Sequence, residues 1–133
     1  MPIEYRIDPE TGWLIANAAG TIGDADIADF VDQLLADPAE PTNLDTLYDY
    51  RELTGLGELS VDSVRKLANL EICDPEVKAR KRSAFVAPVD VAYGMGRMFE
   101  TLTSETMPSF RVFRTIEEAL AFLSEGRPSA ADD

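Results

Sequence analysis

The chain has 133 residues, of which 45% are hydrophobic and 28% are charged, a composition typical of a globular domain that buries its own core. Its 12 basic and 25 acidic residues give a net charge of −13, which disfavours binding to nucleic acid and to anionic lipid. The absence of histidine and the single cysteine, Cys73, exclude an internal disulfide, a histidine-activated nucleophile and a zinc site of thiolates and imidazoles. We therefore expect a protein that is not an enzyme and that uses no metal or cofactor.

The N-terminal stretch, MPIEYRIDPE, lacks the basic region followed by an apolar region that marks a signal peptide. No apolar run approaches the roughly 20 residues that are needed to cross a bilayer. We expect a cytoplasmic protein without a membrane span.

The chain opens with the pattern of a β-hairpin. Ile3, Tyr5 and Ile7 alternate with polar residues, as in a half-buried strand. Residues 8–12, DPETG, have the composition of a turn, and residues 13–19 are predicted to form the returning strand.

A helix is predicted next, with Asp24 as its N-cap and with its end at Asp37, ahead of Pro38. Its apolar residues recur at helical spacing: Ile27, Phe30, Val31, Leu34 and Leu35. A third strand is predicted over residues 44–50, followed by a loop over residues 51–59.

The second half of the chain alternates helix and strand. The predicted elements are a helix capped by Ser60 or Asp62 and ended by Asp74, a strand over residues 83–87, a helix capped by Asp90, a strand over residues 110–114, and a helix whose Thr115 and Glu118 form a capping box. The basic cluster KARKR, residues 78–82, is interpreted as the solvated end of a helix or, alternatively, as an anion or partner patch.

The resulting order, β-β-α-β-α-β-α-β-α, predicts an α/β fold. Its sheet is expected to be mostly parallel after the N-terminal hairpin, with helices covering the sheet. We expect one domain over residues 1–124 and a disordered acidic tail over residues 125–133.

This order, together with the wording AYGMGRMFE at residues 92–100 and VFRTIEEALAFL at residues 112–123, resembles the SpoIIAA-like (STAS/Sec14-type) group of bacterial proteins. The resemblance covers residues 3–123. It implies a STAS-like domain related in fold to anti-sigma-factor antagonists and, more distantly, to CRAL-TRIO lipid carriers. The implied function is a non-enzymatic regulatory or protein-interaction module. The alternative is a carrier or sensor of a small apolar or amphipathic ligand.

The resemblance also implies a regulatory residue. Anti-sigma-factor antagonists carry an Asp-Ser-Ser-Gly-Leu-Gly-like motif after their third strand, and one serine of that motif is phosphorylated. Residues 52–57 here read ELTGLG, which places Thr54 at the phosphoacceptor position, whereas Glu52 and Leu53 depart from the motif. In the alternative interpretation, Thr54 is a loop residue whose hydroxyl bonds to nearby backbone ahead of Gly55.

A second candidate site is predicted where the strands end, because ligands of open α/β sheets bind at the carboxyl ends of the strands. The residues of this predicted crevice are Asp49, Tyr50, Arg51, Asp90, Tyr93 and Arg97. An arginine there would hold a carboxylate or a phosphate. In the alternative, Asp90 only caps a helix and Arg97 is a surface ion-pair partner. We expect a protein partner, a homodimer as one form of the protein, and a small apolar ligand only under the carrier alternative.

Overall fold

The computed structural model describes residues 3–56, 81–87, 90, 93–94, 97, 100–101 and 110–125. The helix predicted between residues 60 and 74, Cys73, and residues 126–133 lie outside these residues. Among the described residues, no helix is long and apolar enough to span a membrane.

The described strands form one five-stranded sheet in the order β1-β2-β3-β4-β5. They are β1 (Ile3–Ile7), β2 (Leu14–Ile22), β3 (Thr46–Leu56), β4 (Ser83–Val86) and β5 (Phe110–Phe113). β1 pairs antiparallel with β2, whereas the pairs from β2 to β5 are all parallel. This arrangement confirms the mostly parallel sheet that was expected after an N-terminal hairpin.

The turn of the hairpin is held by its own polar groups. The N–H of Gly12 donates to the carbonyl of Asp8 at 2.7 Å, and the Thr11 hydroxyl donates to the Asp8 carboxylate at 3.0 Å. Gly12 has a φ of 76°, in the left-handed region that glycine adopts without steric cost. The composition of residues 8–12 therefore predicted this turn correctly.

The described residues include two continuous α-helices, α1 (Asp24–Ala36) and α2 (Ile116–Glu125). The described positions 90, 93, 94, 97, 100 and 101 are also helical, in agreement with the helix predicted after β4. The predicted N-cap of α1 is wrong by one residue, since Gly23 occupies that position and its N–H donates to the Asp26 carboxylate at 2.9 Å. A short 3-10 helix, Pro41–Asn43, lies in the stretch between α1 and β3.

Thr115 and Glu118, the residues predicted for the α2 capping box, contact each other, and the Thr115 half of the box is present. The Thr115 hydroxyl bonds to the Glu118 carboxylate at 2.9 Å and accepts the N–H of Glu118 at 3.3 Å. Because the Thr115 hydroxyl accepts a backbone N–H that a helix start leaves unpaired, α2 begins directly after Thr115. The described part of the helix reaches Glu125.

Apolar side chains cover both faces of the sheet. On one face, which we call the α1 face, the core includes residues of α1, β2, β3 and β5: Ile27, Phe30, Leu34, Leu14, Tyr48, Tyr50 and Phe110. On the other, the α2 face, the core consists of Trp13, Ile15, Leu47, Ala84, Val86, Ala119 and Leu123. Leu35, which was assigned to the apolar stripe of α1, is 50% exposed and so lies outside the core.

The third strand is longer than predicted. The prediction that the strand ends at residue 50 and is followed by a loop is wrong for residues 51–56. β3 continues to Leu56, and β2 continues beside it to Ile22. The additional pairs join Ala19 to Glu52, Gly20 to Leu53 and Thr21 to Gly55. Pairing with a neighbouring strand thus overrides the local turn chemistry of this segment.

The described end of the basic cluster is packed, which contradicts its interpretation as a solvated helix end. Lys81 is only 4% exposed. The Arg82 guanidinium donates to the carbonyl of Phe122 at 2.9 Å and lies 4.7 Å from the centroid of the Phe122 ring. Arg82 therefore ties the start of β4 to α2.

Candidate functional site

Thr54 lies near the end of β3 and is exposed. The register passes from the pair Gly20–Leu53 to the pair Thr21–Gly55, so Thr54 has no partner position on β2. It is therefore the additional residue of a β-bulge. Bulges bend a strand and re-aim a side chain, and they are frequent beside functional sites.

Asp49 and Arg51 form a two-contact ion pair on the α2 face. Arg51 Nε donates to Asp49 Oδ1 at 2.8 Å, and Arg51 Nη2 donates to Asp49 Oδ2 at 2.8 Å. The hydrogen bonds from Arg51 hold the pKa of Asp49 below its usual value, against the effect of burial, and the same contact raises the pKa of Arg51. Glu117 of α2 and Glu52 add to the negative field at this guanidinium. The pair is thus firmly ionised, with the Arg51 side chain still 50% exposed.

Tyr50, between them in the sequence, packs in the core of the opposite, α1 face. It is 3% exposed, and its ring centroid lies 4.7 Å from that of Phe85 in an edge-to-face contact. Burial raises the pKa of its hydroxyl. The sheet therefore separates Tyr50 from Asp49 and Arg51, and the three side chains do not share one crevice.

Arg114, which was not among the predicted site residues, contacts both Asp90 and Tyr93. Arg114 Nη1 lies 2.6 Å from Asp90 Oδ1, and the Arg114 guanidinium carbon lies 4.1 Å from the centroid of the Tyr93 ring. The position of Arg114, directly after β5 at the carboxyl end of the sheet, was the signal that could have identified it. Arg97 lies 3.7 Å from Glu100 one helical turn on, in the surface ion pair that was its alternative role.

No family model and no curated protein matches the sequence. Among solved structures, the chain is similar to an uncharacterized protein of the DUF3478 family from Shewanella loihica PV-4, whose crystal structure is described as having a SpoIIAA-like fold. The two share 21% sequence identity, and the match covers 91% of each chain with a TM-score of 0.59. The chain has a SpoIIAA-like fold.

On this SpoIIAA-like scaffold, the predicted site residues fall into three places. Thr54 lies at the bulge of β3, the Asp49–Arg51 pair lies on the α2 face, and Asp90 with Tyr93 lies beside Arg114 after β5. Within the part of the chain that the structure describes, no group of three His, Cys, Asp or Glu side chains is placed to hold a metal ion. The three places offer a hydroxyl, ion pairs and an aromatic ring, which suit recognition of another molecule.

Proposed function

We propose that this chain is a non-enzymatic regulatory module that binds a protein partner at the carboxyl end of β2 and β3, and that phosphorylation of Thr54 controls this binding. The observation that carries the proposal is the position of Thr54. It is an exposed hydroxyl at the second of two register shifts between β2 and β3, the first of which lies between Asp49 and Glu52.

The bulge makes the hydroxyl accessible to a modifying enzyme. A regular ladder holds every residue in register with its neighbour, whereas a bulged residue is unpaired and its strand bends at that point. Leu53, the preceding residue, is buried at 2% exposure and anchors the strand to the α1-face core. Thr54 is therefore exposed directly beside a residue that the core holds in place.

The electrostatics of this end make phosphorylation an effective switch. A phosphate adds about −1.5 to −2 charges. It would stand two residues from the exposed Glu52, and Arg51, three residues away in the sequence, is already engaged by Asp49. We infer that the unmodified protein binds its partner and that the phosphate disrupts binding by repulsion and bulk.

Phosphorylation of purified protein by candidate serine/threonine switch kinases of the host, followed by mass spectrometry, tests the modification. We expect phosphate on Thr54, its loss in the Thr54→Val variant, and no change in the Thr21→Val variant. Thr21 is the matched control because it is exposed on the adjacent strand, opposite Gly55. Absence of phosphate at Thr54 with a kinase that is active on other substrates would count against the proposal, as would equal labelling of Thr21.

A binding comparison tests the consequence. A protein that binds the wild type and a Thr21→Glu variant, but not a Thr54→Glu variant, would show that the partner surface includes the bulge. Equal retention by the two glutamate variants would contradict the assignment of the surface.

The carrier alternative remains a prediction without a supporting contact among the described residues. Tyr50 and Tyr93, which were expected to line the crevice, pack against the α1-face core instead. Native mass spectrometry of freshly purified protein addresses this alternative directly, since a carried ligand would appear as a fixed additional mass.

A further inference from the structure

Among the described strands, β5 lies at an edge of the sheet. The N–H of Ala87 donates to the carbonyl of Phe113 at 3.0 Å, so the backbone of Phe113 faces β4. Because the backbone groups of a parallel strand alternate in direction, those of Phe110 and Val112 face away from β4. An apolar edge strand with outward N–H and C=O groups is a template for pairing with another chain.

Two charged side chains form hydrogen bonds with these outward backbone groups. The N–H of Val112 donates to Glu100 Oε2 at 3.0 Å. Arg111 Nη1 donates to the carbonyl of Phe110 at 2.8 Å. Glu100 is contributed by the helical positions before β5, and its second carboxylate oxygen lies 3.7 Å from Arg97. Both are charge-assisted hydrogen bonds, which are roughly twice as strong as those between neutral groups.

The two occupied groups are the ones that an added strand would use. A strand laid beside β5 with one of its residues opposite Arg111 would donate to the Phe110 carbonyl and accept from the Val112 N–H. The guanidinium of Arg111 and the carboxylate of Glu100 stand where that donor and that acceptor would be.

The Phe110 carbonyl and the Val112 N–H could also pair with the same two groups of a second copy. If two copies met across a two-fold axis at Arg111, the Val112 N–H of each would reach the Phe110 carbonyl of the other. In the wild-type protein, that arrangement also sets Arg111 directly against its own copy, and like charges in directly opposite positions are destabilising. The second copy is therefore the natural occupant of an uncapped β5 edge.

We infer that Glu100 and Arg111 close the β5 edge against strand addition, and that removing both side chains lets β5 pair antiparallel with β5 of a second copy. The inference is independent of the function proposed for Thr54. It restricts any native partner or homodimer to a surface other than this edge.

Sedimentation velocity over a wide concentration range tests the closure with a Glu100→Ala, Arg111→Ala double variant. We expect this variant to associate further than the wild type as its concentration rises. The matched control is an Arg6→Ala, Asp32→Ala double variant, which also removes one base and one acid and so also keeps the net charge of −13. Arg6 is exposed on the edge strand β1, and we expect its variant to behave as the wild type. A Glu100→Ala, Arg111→Ala variant that folds normally and sediments as the wild type would overturn the inference.

A cross-link locates the contact. In a Cys73→Ser background, the Glu100→Ala, Arg111→Cys variant is expected to form an oxidised dimer, because directly opposite residues of a non-hydrogen-bonded antiparallel pair have Cα atoms about 4.5 Å apart, within disulfide range. The same background with Glu100 retained and Arg111→Cys is expected to cross-link more slowly. Equal cross-linking of the two would overturn the role of Glu100.

Amide exchange at Val112 decides the case if the double variants do not fold. We expect the exchange rate to rise roughly tenfold in the single variant Glu100→Ala, since its acceptor is removed, and to stay near the wild-type rate in Glu100→Gln, which keeps an acceptor oxygen. Equal exchange in these two variants would show that Glu100 does not cap the edge.

Discussion

Phe30 is the residue whose truncation should most clearly reveal how the sheet and α1 are joined. It is 0% exposed at the middle of α1. Its ring centroid lies 6.2 Å from that of Tyr5 on β1 and 6.5 Å from that of Tyr48 on β3, and both contacts are edge-to-face. One ring thereby connects the helix to an edge strand and to the central strand.

The expected loss follows from burial and from the two ring contacts. Truncation of a fully buried phenylalanine to alanine costs about 3–5 kcal/mol, a large part of the roughly 5–15 kcal/mol that stabilises a domain of this kind. Phe30→Leu keeps most of the buried volume but loses the ring contacts, each of which is worth about 0.5–1.5 kcal/mol. We therefore expect a loss of about 1–3 kcal/mol for Phe30→Leu. Leu35→Ala, at a position 50% exposed on the same helix, should change stability by no more than about 0.5 kcal/mol.

Urea denaturation followed by far-ultraviolet circular dichroism measures all three variants against the wild type. The expected order of loss is Phe30→Ala, then Phe30→Leu, then Leu35→Ala, with unchanged m values. If Phe30→Ala loses no more stability than Leu35→Ala, the packing of α1 on the sheet described above is refuted. If Phe30→Ala does not fold, the comparison of Phe30→Leu with Leu35→Ala still decides the order.

Two further predictions concern single polar contacts. Burial and the hydrogen bond from the Tyr5 hydroxyl to Asp37, at 2.7 Å, raise the pKa of Tyr5 from 10.0 to about 12. A raised folded-state pKa gives stability that is present below pH 10.0 and is lost as the pH rises to about 12. We therefore expect Tyr5→Phe to lower the urea midpoint at neutral pH and the difference from wild type to shrink across that alkaline window; a pH-independent difference would contradict the contact. Ser83 Oγ is buried without a hydrogen-bond partner among the described residues, whereas the Thr46 hydroxyl donates to a backbone carbonyl at 2.9 Å. We expect Ser83→Ala to raise the free energy of unfolding by about 1 kcal/mol and Thr46→Val to lower it by about as much, as measured by urea denaturation; a loss of that size for Ser83→Ala would disprove the first.

The sequence predicted those elements whose ends are set by short-range chemistry. The hairpin turn depends on Asp8, Thr11 and Gly12, which contact one another within five residues. The start of α2 depends in the same way on Thr115 and Glu118. In both cases the residues that make the contacts are adjacent in the sequence, so their types were sufficient.

The end of β3 could not be predicted in this way. Gly55 indicates a turn when it is considered alone. In the fold it pairs with Thr21, more than thirty positions earlier, and the preceding bulge at Thr54 interrupts the period of two that identifies a strand. Only the pairing with β2 reveals that residues 51–56 are extended.

The structure divides the described residues of the predicted crevice between separate places. Asp49, Tyr50 and Arg51 were grouped because they end a predicted strand, yet Tyr50 packs in the α1-face core while Asp49 and Arg51 pair with each other. Arg114 was not identified because its contacts with Asp90 and Tyr93 cross more than twenty positions. Proximity in the sequence is thus a poor guide to a site that lies between strands.

The closed edge bears on where the proposed partner binds. If Glu100 and Arg111 close the β5 edge, backbone pairing at that edge is blocked, and a protein partner must bind at another surface. The bulge of β3 suits such contact because its residue is already out of register and its side chain is exposed. A charge placed on Thr54 can then weaken the contact without disturbing the ladder that holds the sheet together. Under the two proposals together, partner binding would depend on a hydroxyl that an enzyme can modify.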